Sequence, residues 1–195
     1  AKVVELDIVN NRIHGFPLEP RAVAGQYEAS GDSYTLWSTT QMPHVIRDCL
    51  AQQSLQVPAH RIRVVAPDVG GGFGLKGCHY AEEAAVLWGA KRVSRTVRWT
   101  STRTESFIAD VHARDHVTRA KMAFDENHRV LGIRVDVLSN LGAYVSLFGA
   151  GCASLYGMGT LCGPYLVPAA YFRVRGVYTH TVPTEAYRGA GMPEA

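Results

Sequence analysis

No two cysteines in this sequence are spaced as Cys-x-x-Cys. The four that occur, Cys49, Cys78, Cys152 and Cys162, stand apart from one another. That spacing argues against a zinc ribbon or a dithiol motif and fits buried thiols in a reducing compartment. No apolar run is long enough to span a bilayer, and no signal-peptide pattern opens the chain. A cytoplasmic protein with no membrane partner is expected. Charge is also sparse: 19% of residues are charged and the net charge is +3. The basic residues are dispersed, and the densest patch, KRVSRTVR (Lys91 to Arg98), reads as a helix C-terminus followed by a solvated turn. No nucleic-acid partner is expected from such a pattern. Neither an internal repeat nor a low-complexity linker occurs.

What is present is apolar and rich in glycine. Hydrophobic residues make up 47% of the 195, and 19 are glycines. That is enough for one domain of ordinary size with a real core. The chain starts directly in a strand-like AKVVELDIVN and stops at MPEA without a terminating signal, so it reads as part of a longer polypeptide.

The patterning predicts strands at AVAGQYEA and SYTLWST, joined by a turn at SGD. A helix is predicted from Pro43 through PHVIRDCLAQQSL, capped by Thr39 or Thr40, with Val45, Ile46, Cys49 and Leu50 on one face. RIRVVAP is a short strand. CHYAEEAAVLWGAKRV reads as a helix with Ala81, Ala84, Ala85 and Trp88 on one side, and TVRWTST as a strand. RTESFIAD is a helical turn. HVTRAKMAFD and RVLGIRVDVLSN alternate well and predict a long antiparallel hairpin. GAYVSLFGAGCASLYGMGTLCGPYLVP is irregular with one helical segment, and YFRVRGVYTHTV is a last strand. The fold class is α+β: a mixed sheet with long antiparallel hairpins and packed helices.

One stretch carries a chemical question. DVGGGFGLKG, from Asp68 to Gly77, follows a strand and precedes a helix, an arrangement that aims main-chain N–H groups at an anion. It contains a literal G-x-G-x-x-G at Gly72, Gly74 and Gly77. A dinucleotide site also needs an acid ending the next strand, and TVRWTST ends without one. A P-loop is excluded because Gly77 follows Lys76. Phe73, between two glycines, suits a plain phosphate cradle poorly. It is either a hydrophobic plug under a tight turn or a ligand wall whose backbone faces a cofactor.

Three separated segments answer in combination: LWSTTQMPH (Leu36 to His44), VVAPDVGGGFGLKG (Val64 to Gly77) and EAYRGAGMPEA (Glu185 to Ala195). In this order and at these separations they resemble the molybdenum hydroxylases, the family of xanthine dehydrogenase, aldehyde oxidase and aerobic carbon monoxide dehydrogenase large subunits. The PLEPRAV, SNLGAY and GPYLVP stretches agree, and the likeness covers nearly the whole chain. It implies that residues 1–195 are the first molybdopterin-binding domain of such a subunit. It implies a molybdenum held by a pterin dithiolene, in the cytosine dinucleotide form, with no direct protein ligand to the metal. Cofactor-binding positions follow residue by residue. Gln41 matches the glutamine that bonds a molybdenum ligand. Gly72, Phe73 and Gly74 match the G-G-F-G segment whose amide at the phenylalanine approaches the metal's oxygen. Arg188 matches the arginine of A-[YF]-R-G. The bland readings are a polar helix-end role for Gln41 and an ion pair of Arg188 with Glu185 or Glu194. His44 and His112 are not assigned as ligands, and Glu82 and Glu83 read as helix-face or capping carboxylates.

The resemblance also marks departures. Purine-oxidising members carry a glutamate where Gly77 stands, a phenylalanine where Ala190 stands and an arginine at or near Tyr156. Copper-binding carbon monoxide enzymes carry a cysteine where Gly189 stands. Met192 replaces a usual arginine, without an explanation in the sequence. What remains is hydroxylation of an aldehyde or N-heterocycle with water-derived oxygen. The base glutamate belongs to a second molybdopterin-binding domain, so no catalytic residue is expected in this chain, and alone it should be inactive. The expected partners are that second domain, iron–sulfur and flavin (FAD) subunits, and a small-molecule substrate. Two other readings stay open: a nucleotide- or phosphate-binding domain using the Gly72 loop, and a vestigial assembly domain.

Overall fold

A computed structural model describes residues 1–194; Ala195, the last residue of EAYRGAGMPEA, lies outside the described residues, as does the side chain of Glu194. The chain divides into two compact units. One comprises Phe16–Asp110, and the other comprises Ala1–Gly15 with Val111–Ala195. The α+β class holds, but the strands form two mixed four-stranded sheets rather than one.

In the Phe16–Asp110 unit the strands are β2 (Ala22–Glu28), β3 (Ser33–Ser38), β4 (Ile62–Val65) and β5 (Val97–Thr100), in the order β4-β3-β2-β5. β2 and β3 form the hairpin expected around SGD, and β4 joins β3 in parallel. Parallel pairing needs a crossover, and helix α1 (Pro43–Cys49), continued by a wider helical turn over Leu50–Ser54, supplies it. Proline at the first helical position costs no hydrogen bond there. The helix cap differs from expectation: Met42 occupies it, and the Thr40 hydroxyl instead accepts the Met42 N–H at 3.1 Å.

Helix α2 (Ala81–Val93) packs on β2 so closely that a Cβ on Gly25 would lie 2.8 Å from the Val86 carbonyl carbon. Only glycine permits that approach. Leu36, Ile46, Leu50 and Leu87 are fully enclosed between sheet and helices. The alanine side of α2 is not its buried side. Ala81, Ala84, Ala85 and Trp88 do share a side, but Trp88 is 59% exposed; the buried residues are Glu83, Val86, Leu87 and Ala90. Glu83 closes a capping box with Tyr80, as a capping carboxylate should. The unit ends with helix α3 (Arg103–Ala109), whose Thr102 and Glu105 form a second capping box.

In the other unit the order is β1-β6-β7-β8, from β1 (Lys2–Asn10), β6 (His116–Phe124), β7 (Val130–Gly142) and β8 (Ala170–Tyr178). β6 and β7 are the expected hairpin, while β8 runs parallel to β7. One face carries solvated ion pairs: Glu5–Lys121, Asp7–Arg119 and Asp136–Arg173 across strands, and Arg134–Asp136 along β7. The opposite face receives a short helical segment, α4 (Gly149–Gly151), prolonged over Cys152–Tyr156.

Candidate functional site

The loop after β4 is built by its glycines and by three residues from elsewhere in the same unit. Glu19 and Gly70 bond reciprocally: the Gly70 N–H donates to Glu19 Oε2 at 2.8 Å, and the Glu19 N–H donates to the Gly70 carbonyl at 3.3 Å. The same Glu19 oxygen takes the Lys76 ammonium at 2.7 Å. The Lys76 side chain is fully enclosed, so this charge needs a counter-charge in place. Burial pushes the Glu19 carboxyl up. The hydrogen bonds from Lys76 and Gly70, with the lysine's charge, outweigh that and hold it below its ordinary value.

The Lys76 carbonyl in turn accepts the Gln41 N–H at 3.0 Å and the Thr40 hydroxyl at 3.2 Å. Gln41 reaches across the loop, and its side-chain oxygen accepts the Gly74 N–H at 2.8 Å. A main-chain N–H can only donate, so this bond fixes which end of the amide is oxygen. The Gln41 NH2 is left as the outward, donating end. Gln41 is exposed. Gly72 has no room for a side chain: a Cβ there would stand 2.3 Å from Gln41 Oε1. Gly74 sits at φ 103, beside Phe73 at φ 55. Phe73 is 44% exposed and no plug, which removes the hydrophobic-plug reading.

Four of the loop's N–H groups are already taken within the unit. The Gly70 N–H goes to Glu19, the Gly74 N–H to Gln41, the Leu75 N–H to the Gly72 carbonyl and the Gly77 N–H to the Gly74 carbonyl. Helix α2 starts only at Ala81, and the Glu83 carboxylate already occupies its first turn.

Arg188 belongs to the other unit. The chain approaching it is firmly held. Glu185, buried, accepts the N–H groups of Phe148 at 2.8 Å and Ala186 at 3.0 Å, and its own N–H donates to the His112 carbonyl at 2.7 Å. The Ser146 hydroxyl bonds the Thr184 carbonyl at 2.8 Å. From Arg188 to Gly191 four successive residues then have positive φ: 28, 105, 49 and 99. Such values in Arg188 and Ala190 are strained. Arg188 is exposed. Its guanidinium makes no hydrogen bond or ion pair with another described residue, so the Glu185 pair is not formed.

Gln41, Gly72, Phe73 and Gly74 are thus brought together, with Arg188 on the second unit. Among the described residues no group of three or more His, Cys, Asp or Glu side chains could hold a metal ion, and no helix is long and apolar enough to cross a membrane. Two residues escaped the sequence reading as parts of this site, Glu19 and Lys76. The one available signal was a lone lysine inside a glycine loop.

The fold and the loop geometry define a cofactor-binding module with an outward amide donor. A family described as the molybdopterin cofactor-binding domain matches residues 1–195. The gamma subunit of the 6-hydroxypseudooxynicotine dehydrogenase complex of Paenarthrobacter nicotinovorans is 33% identical over 99% of this chain and 24% of its own length. The carbon monoxide dehydrogenase large chain of Afipia carboxidovorans is 34% identical over 92% of this chain and 22% of its own. The crystal structure of quinoline 2-oxidoreductase from Pseudomonas putida 86 superposes with a TM-score of 0.92 at 34% identity, covering 98% of this chain and 24% of that one. The chain belongs to the molybdenum hydroxylase family, as a molybdopterin-cofactor-binding domain. It spans about a quarter of the length of the relatives it matches.

Proposed function

We propose that this chain forms one wall of the molybdenum-cofactor pocket in a hydroxylase that places a water-derived oxygen on an electron-poor carbon of an N-heterocycle or aldehyde. The observation that carries this is the Gln41–Gly74 bond, because it turns an uncharged NH2 donor outward beside an exposed, glycine-flanked backbone. Oxygen-rich anionic groups are what such donors hold. The cradle fits a closely approaching group, since Gly72 has no side chain and a Cβ there would displace the Gln41 amide.

In the Gln41 unit, the amide and the Phe73 backbone would hold the oxygen end of the cofactor. Arg188, on its own unit, would offer a permanent positive charge suited to an anionic cofactor. The molybdenum of a bound molybdopterin would supply two-electron redox chemistry there. This chain's residues orient, donate hydrogen bonds and stabilise developing negative charge. The proton-abstracting glutamate would come from a second cofactor-binding domain, and iron–sulfur and FAD partners would carry electrons away. The cytosine dinucleotide form of the cofactor and a cytoplasmic setting belong to the same proposal.

Within this class an aldehyde or a non-purine N-heterocycle is favoured over a purine or carbon monoxide. Gly77, Ala190 and Tyr156 stand where purine-oxidising members have their substrate residues, and Gly189 stands where copper would need cysteine. The quinoline named for the solved relative is an N-heterocycle. The test is metal and pterin analysis of the native polypeptide purified with its partners. Molybdenum and pterin in equal amounts, with iron, is the expected result; a preparation without either group overturns the proposal. The 195-residue chain alone is expected to show no turnover of aldehydes or N-heterocycles.

A further inference from the structure

Lys76 joins two separate holds on the glycine loop. Through its carbonyl it fixes the main chain of Gln41 and the hydroxyl of Thr40. Through its ammonium it fixes Glu19, and the same carboxylate oxygen fixes Gly70 at the far end of the loop. Gln41 closes the circuit by taking the Gly74 N–H in the middle. The loop is pinned at its start, its middle and its end. Two of those three pins run through one buried lysine and its carboxylate partner.

This arrangement is more than a plug of charge. A buried ammonium is costly unless it is paired and bonded, and a methionine or leucine would fill the same space without that cost. The pair gives direction in return. Lys76 Nζ draws Glu19 Oε2 to one position, 2.7 Å away. That position is also 2.8 Å from the Gly70 nitrogen. The approach is tight on the loop side: a Cβ on Gly70 would stand 2.5 Å from Glu19 Cβ. A displaced Glu19 therefore releases Gly70. A displaced Lys76 backbone releases Gln41, whose NH2 then loses its aim.

We infer that the Lys76–Glu19 pair is a positioning device for the cofactor wall, setting the placement of the Gly70–Gly74 backbone and the aim of the Gln41 amide. This rests on the cofactor-pocket reading for its purpose, but not for its geometry. Lys76 and Glu19 touch the loop, and they act on the cofactor only through it.

The experiment compares amide exchange in the native polypeptide, assembled with its partners, across wild type, Lys76→Met, Glu19→Gln and the double variant E19Q/K76M. Peptides covering Gly70–Gly77 are read against peptides covering β3 and α2, and molybdenum and pterin content are measured on the same samples. The expected result is exchange about tenfold faster in the loop peptides of Lys76→Met, with β3 and α2 unchanged, since one released bond is worth about that factor locally. The double variant, which has no unpaired buried charge, should keep its core protection and still show the fast loop. Cofactor content should fall in step with loop exchange. A purely structural lysine gives a different pattern: all peptides speed up together in Lys76→Met and all recover in the double variant. That pattern, or failure of all three variants to fold, overturns the inference. The cofactor reading fails separately, by absence of pterin from the wild type, whatever the loop does.

Discussion

The side-chain oxygen of Gln41 accepts the main-chain N–H of Gly74 at 2.8 Å. Residues 33 positions apart are thereby locked into one surface, and the orientation of an otherwise ambiguous amide is decided by a donor that cannot reverse. The direction matters for chemistry: the NH2 faces outward, so the site offers a donor without adding charge.

Gly72→Ala tests this lock directly. The new methyl would stand 2.3 Å from Gln41 Oε1 and 2.6 Å from its Cδ, and Gly72 is buried. Gln41 must swing away and the Gly74 N–H loses its acceptor. A loss of about 0.5–1.5 kcal/mol in unfolding free energy is expected, because the freed Gly74 N–H is exposed to water, read by urea denaturation. Cofactor content of the assembled protein should fall with it.

Arg21 anchors the same unit more deeply. It is buried, donates to Asp110 Oδ1 at 2.6 Å, pairs with Glu82 and lies 3.5 Å from the centre of the Tyr80 ring. Asp110 is only 1% exposed. Arg21→Met removes the cation that Asp110 and Glu82 share. Breaking a buried pair on one side costs about 3–5 kcal/mol, so the variant should unfold at markedly lower urea concentration than wild type. Asp136→Asn provides the contrast. Its pairs with Arg134 and Arg173 lie on a solvated face, and their loss should leave the urea midpoint nearly unchanged.

The two outcomes expose what was and was not legible in the sequence. Strands with strict alternation, such as those of the β6–β7 hairpin, could be read because one side-chain period suffices. The α2 face could not, since alanines at helical spacing are compatible with either side. There the deciding residues were Val86 and Leu87, backed by a buried glutamate. The parallel placement of β8 beside β7 has no local signal, because Asn140 and Ala170 are separated by an irregular segment. The site divides the same way. Gln41, the Gly72–Gly74 run and Arg188 stood in recognisable motifs. Lys76 and Glu19 did not, since their bond spans 57 positions and only burial makes a lysine's partner obligatory.

Glu19 gives the loop a pH dependence of definite sign. Its folded-state carboxyl is held below its ordinary value of 4.5, because the bonds from Lys76 and Gly70 outweigh burial. A depressed carboxyl stabilises the fold above its unfolded value and loses that contribution as pH falls through the folded one. Stability should therefore decline on acidification below about pH 4.5. In Glu19→Gln that part of the decline should be missing, so the difference in unfolding free energy between the two proteins narrows steadily with acid. Parallel curves across this range would show that Glu19 titrates normally.

Arg188 separates stability from function. It is exposed, at φ 28, and its guanidinium has no hydrogen bond or ion pair to another described residue. A side chain so placed contributes little to the fold, and surface changes of this kind stay within about 0.5 kcal/mol. The turn that carries it is fixed by other groups, chiefly Glu185 on the Phe148 and Ala186 N–H groups. Arg188→Gln should leave the urea midpoint of the protein unchanged while lowering the molybdenum and pterin retained by the assembled enzyme. Arg188→Lys should keep the charge but lose the planar fork that grips an oxyanion with two bonds, so retention should fall between that of wild type and the glutamine variant. An unfolding midpoint that drops in both variants would place Arg188 in the fold rather than at the cofactor.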